Sequence, residues 1–140
     1  AQQQSDQVNR LQSESAIHLH ALRQLSTPIL PVGHNTLVMP LIGVFNQQRM
    51  QILQEQILQE LEHKNRQYVI LDLTGLTIID QNLVNSLLAI LRSVEYMGTK
   101  MILAGVRPEL ALNVASNGHH LQSIQSATTL EEALELVFQL

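Results

Sequence analysis

The chain has 140 residues, a formal net charge of −4, 45% hydrophobic residues and only 14% charged ones. That length fits one domain, and that hydrophobic share excludes a disordered chain. Zero cysteines exclude disulfide frameworks, thiolate metal sites and cysteine nucleophiles, while the acidic balance and 3% aromatics speak against nucleic-acid binding and base stacking.

The first segment, Ala1 to about Leu25, is rich in Gln and Ser and free of Gly and Pro. Val8, Leu11, Leu22 and Leu25 fall on helical spacing, but Ser15 and His18 interrupt the stripe. We expect a helix with a weak seam that needs a partner helix. Its N-terminus lacks both an initiator Met and an apolar signal region, so we expect a processed chain or a piece of a longer one. No run approaches the ~20 apolar residues of a membrane span. A cytoplasmic protein without membrane contact is the expectation.

Pro28 ends the helical pattern. Ile29–Val32 is short and apolar, Gly33-His34-Asn35 is a turn, and Thr36–Gly43 is β-branched and apolar. Together they predict a hairpin, with Pro40 pointing to an edge strand. A long helix follows from Asn46, a good N-cap, to Lys64, with Met50, Leu53, Ile57, Leu58 and Leu61 as its apolar stripe. Tyr68–Thr74 is a continuous apolar run, the mark of a strand buried on both faces. After Gly75 comes a brief extended piece, Thr77–Ile79. Asp80 then stands where an N-cap belongs, ahead of a helix from Gln81 to Met97 that Gly98 closes. Lys100–Gly105 is a second buried strand. Pro108 opens a short helix that ends near Asn117-Gly118, and Leu121–Ser126 is a weak strand or loop. Thr129-Leu-Glu-Glu132 is a capping box for a last helix. Strands alternating with helices imply a mainly parallel or mixed sheet with helical cover.

Catalytic chemistry finds little support. His18 and His20 point apart on a helix, and His119-His120 have no ligand partners at metal spacing. The six glycines form neither G-x-G-x-x-G nor a P-loop, and no G-x-S-x-G elbow is present. Asp72 and Asp80 can be drawn as an acid/base pair, yet each has a local structural task, one at a strand end and one as a cap. We therefore expect no enzyme, no metal and no cofactor.

Several stretches carry a resemblance. Val69-Ile-Leu-Asp-Leu-Thr-Gly75, then Ile78-Ile-Asp80 opening a helix, then Ile102-Leu-Ala-Gly-Val-Arg-Pro-Glu109 resemble the STAS family, the domains of sulfate transporters and anti-sigma-factor antagonists. The likeness runs from about Leu25 to Leu140. It extends to the RsbR-type stressosome co-antagonist branch through Leu25-Ser-Thr-Pro-Ile-Leu-Pro-Val32 and Val38-Met-Pro-Leu-Ile-Gly43. It implies an α/β STAS fold at residues 27–140, a mixed sheet covered by helices, preceded by a linker helix at 1–26.

The family carries a phosphorylatable Ser or Thr beside the Asp, where this chain has Gln81 followed by Asn82. The co-antagonist branch has a second such Thr at the start of the long helix, where Gly43-Val-Phe-Asn46 leads into Gln47. A carboxamide accepts no phosphoryl group, so both positions would stay neutral. The resemblance thus implies a non-catalytic signalling and scaffolding domain of a bacterial stress-response, partner-switching system. Its partners would be other STAS proteins and a switch serine/threonine kinase, in a homodimer or larger assembly. The implied partner surface is Asn46, Asp80, Gln81, Asn82 and Asn85. A competing reading is a STAS domain that senses a nucleotide or lipid in its cleft, and a third is an enzyme using Asp72 and Asp80.

Overall fold

The structure is a computed structural model that describes residues 27–110, 112 and 125–138. The expected helix over 1–25, the end of the Pro108 helix and four of the histidines lie outside these residues. The element order is β1 (Leu30–Val32), β2 (Thr36–Pro40), α1 (Gln47–His63), β3 (Tyr68–Asp72), α2 (Gln81–Tyr96), β4 (Lys100–Ala104), β5 (Gln125–Ala127) and α3 (Leu130–Phe138). The five strands form one sheet in sequence order. β1 and β2 make the expected antiparallel hairpin, and the other three pairings are parallel. This is the mixed sheet with helical cover that the alternation of patterns predicts.

The central strands are β3 and β4, and their apolar runs explain why. Val69, Leu71, Met101 and Leu103 face one side of the sheet, and Ile70 and Ile102 face the other. A strand with apolar residues at successive positions is stable only when both of its faces are covered. On the first side lie α1 and α2. α1 buries Met50, Leu53, Ile57 and Leu61, at helical spacing, while Leu58 is only half-buried. α2 buries a wider stripe that adds Leu83 and Ile90 to the expected Val84, Leu87, Leu88, Leu91 and Val94. On the second side, among the described residues, α3 covers Val38, Ile70 and Ile102, through Ala133 with Leu130, Leu134 and Val137 around it.

Two local expectations need correction. Pro40 does not mark an edge strand, because β2 lies between β1 and β3. The register shows why proline is tolerated: β1 reaches only as far as the Leu30–Val38 pair, so Pro40 has no β1 neighbour to bond. Strand β3 stops at Asp72, not Thr74. The Asp72 carboxylate accepts hydrogen bonds from the Thr74 N–H at 3.1 Å and the Thr74 hydroxyl at 2.6 Å, which folds the chain into a turn. That turn sits tightly under Gly105, whose φ is +72° and where a Cβ would lie 2.3 Å from Thr74 Oγ1. Only glycine fits there.

The chain enters the domain held to α1. Gln56 accepts from the Thr27 N–H at 3.0 Å and donates to the Thr27 carbonyl. At the far end, Thr129 caps α3 by accepting from Glu132 N–H at 3.1 Å. Glu132 reaches back to the Thr128 N–H, one residue before the expected partner.

Candidate functional site

Parallel strands β2 and β3 deliver their following helices to the same end of the sheet, so the N-termini of α1 and α2 come together. The two connecting loops are zipped to one another. Gly43 N–H donates to the Gly75 carbonyl at 2.9 Å, and Thr77 N–H donates to the Gly43 carbonyl at 2.9 Å. The expected extended piece at 77–79 is thus a loop, held at Leu76 by one parallel bridge to Gly43.

Each helix has the cap its sequence predicts. Asn46 Oδ1 accepts from Arg49 N–H at 2.9 Å, and Asp80 Oδ1 accepts from Leu83 N–H at 2.9 Å. Arg49 fixes the first loop. Its Nη1 donates to the Val44 carbonyl at 2.8 Å, and its guanidinium lies 3.8 Å from the Phe45 ring centroid. Arg107 does the same for the second loop, donating to the Leu76 carbonyl at 2.6 Å.

Between the two N-termini lies a cleft of about 190 Å³. Its floor is Phe45, Met50 and Leu83, and its rim is Asn46, Gln47, Asp80, Asn82 and Ser86. A second hollow of about 190 Å³ continues down the α1–α2 groove and shares Gln47, Met50 and Ser86 with the first. The groove is polar at the rim and apolar below. It offers carboxamides that both donate and accept, with one carboxylate already occupied as a cap.

Four of the sequence-predicted residues meet in this cleft: Asn46, Gln47, Asp80 and Asn82. Gln81 and Asn85 do not line it. Gln81 Nε2 donates to Asn85 Oδ1 at 2.9 Å along α2, the i to i+4 direction, on a neighbouring face. Sequence reasoning overlooked Ser86 as a member. The signal was present, because Ser86 and Ser93 repeat at seven residues opposite Gln47 and Gln54. Asp72 and Asp80 each serve a local turn or cap, as anticipated. No group of three His, Asp or Glu side chains among the described residues can hold a metal, and no helix among them is long and apolar enough to cross a membrane.

The STAS domain family matches residues 27–133. The chain belongs to the STAS family. The RsbT co-antagonist protein RsbRA of Bacillus subtilis is 30% identical over 120 residues, 86% of this chain and 44% of that protein. A blue-light photoreceptor of Listeria monocytogenes is 31% identical, over 84% of this chain and 46% of its own length. The STAS chain thus spans about half the length of the curated relatives it matches. Among solved structures, a variant of RsbS from Moorella thermoacetica superposes with a TM-score of 0.70 at 23% identity, covering 81% of this chain and 95% of that one. The anti-sigma factor antagonist SpoIIAA in its unphosphorylated form gives 0.67 at 20% identity, over 81% and 97% of the two chains. These superpositions establish the STAS fold: one mixed five-stranded sheet with helices on both faces. The relatives are named as co-antagonists, antagonists and a photoreceptor, which is the vocabulary of signalling.

Proposed function

We propose that this STAS domain is a non-catalytic signalling and scaffolding module of a stressosome-type, partner-switching system. It binds other STAS domains and a switch kinase in the cytoplasm, within a dimer or larger assembly. The partner-facing surface is the end of the domain where α1 and α2 begin: Asn46, Gln47, Asp80 and Asn82 around the cleft, with Gln81 and Asn85 beside it. The carrying observation is the cleft itself, which gathers the two helix starts, each with a carboxamide at its first position, in a chain similar to a protein named as an RsbT co-antagonist.

A phosphate at either helix start would add about −1.5 to −2 charges. Gln47 and Gln81 keep both places neutral, so no phosphate at either helix start alters the charge of this surface. A small-molecule sensor is the second reading, and this groove does not favour it: among the described residues its two hollows are about 190 Å³ each, below the ~300–1,000 Å³ typical of ligand pockets. The test is mass spectrometry after incubation with a switch serine/threonine kinase of a partner-switching system and nucleoside triphosphate. The wild-type chain is expected to take no phosphate, and Gln81→Thr to gain one at position 81. Phosphate on Thr74, Thr77 or Ser86 of the wild type would overturn the unswitched surface.

A further inference from the structure

The α1–α2 groove repeats its polar residues. Gln47 and Gln54 stand seven apart on α1, and Ser86 and Ser93 stand seven apart on α2. Seven residues are two helical turns, about 10.5 Å of rise with a drift of only about 20°. Each pair therefore shares one stripe of its helix. In the lower layer the contact is made: Gln54 Nε2 donates to Ser93 Oγ at 2.9 Å, and Ser93 Oγ donates to the Ala89 carbonyl at 3.0 Å. In the upper layer Gln47 and Ser86 line the same two hollows. Among the described residues neither side chain has a hydrogen-bond partner. The residue types, spacing and helix direction are the same, yet one layer is closed and the other open.

Burial explains the difference. Gln54 is half-buried, so its side chain has already lost most of its freedom, whereas Gln47 is exposed. For Gln47 the gain of one net hydrogen bond is of the same order as the entropy of holding a long side chain. Neither state wins by a wide margin, which is the condition for a switch. We propose that Gln47 and Ser86 form a latch. In the closed state the Gln47 carboxamide donates to Ser86 Oγ, as Gln54 does to Ser93. Closure draws Gln47 off the surface and into the cleft, so that a partner meets Gln47 only in the open state. The latch rests on the reading of this cleft as the partner-facing end, and adds the element that regulates it.

The absence of cysteine makes the latch directly testable in the full chain. Gln47→Cys/Ser86→Cys is compared with Gln48→Cys/Ser86→Cys, whose position 48 is turned about 100° away on α1. With oxidised glutathione as the oxidant, the in-layer pair is expected to close an intramolecular disulfide at least tenfold faster than the control pair. Equal rates would overturn the latch while leaving the partner surface standing. Binding of a purified RsbT-type protein to the oxidised variant is expected to be at least tenfold weaker than to the same variant after reduction. Fast closure with unchanged binding would overturn the regulatory role. Ser86→Ala, which cannot latch, gives a reading free of cross-linking. The Gln47 side-chain amide signal in an NMR spectrum is expected to shift between wild type and Ser86→Ala, and an unchanged signal would contradict the latch.

Discussion

The two halves of the α1–α2 pair use similar residues to different ends. In the lower half, Leu53, Ile57 and Leu61 of α1 and Ile90, Leu91 and Val94 of α2 are buried, and Gln54 is tied to Ser93. In the upper half, Phe45, Met50 and Leu83 line an open hollow ringed by carboxamides and a hydroxyl. The lower half holds the helices together. The upper half keeps them apart enough to leave a surface that other molecules can read. Stability and recognition are thus divided along one pair of helices, and that division ranks the effects of substitution.

Leu53→Ala should have the largest effect on folding. Leu53 is fully buried at the centre of the lower half, and truncation should cost about 2–5 kcal/mol in a urea titration. A loss under about 1 kcal/mol would mean that the lower half is not a packed core. Asp80→Ala should cost about 1 kcal/mol, the usual value of an N-cap. Asp80→Asn should recover most of that loss, since the amide oxygen still accepts from Leu83 N–H. Ser93→Ala should cost about 0.5–1.5 kcal/mol by leaving Gln54 without its partner. Ser86→Ala, in the corresponding place of the upper layer, should change stability by less than about 0.5 kcal/mol. Equal losses at the two serines would erase the contrast between the halves.

The lower half was legible in the sequence because burial writes itself as periodicity. Met50, Leu53, Ile57 and Leu61 fall on one helical stripe, and the buried strands read as unbroken apolar runs. The caps at Asn46 and Asp80 were legible because side-chain chemistry at a helix start is local. The upper half was read only in part. Asp80, Gln81 and Asn82 are adjacent in sequence, but each step along a helix turns about 100°. Asn82 therefore meets the cleft while Gln81 pairs with Asn85 beside it. Ser86 was missed because an apolar stripe draws attention away from a polar one. The reading of Pro40 failed for a different reason. Whether a strand lies at an edge depends on how far its neighbour extends, and nothing near Pro40 shows that β1 stops at its pairing with Val38.

The central claim is that the two helix starts form a partner surface without a phosphate switch, with Gln47 and Gln81 as its uncharged elements. The most direct test is a binding titration of an RsbT-type protein against the wild-type chain and the Gln47→Glu/Gln81→Glu variant. Glutamate at the first position of a helix suits its dipole, so the melting temperature should hold or rise slightly. The account predicts binding at least tenfold weaker in the variant at that unchanged stability. Equal affinity in the two chains would contradict it.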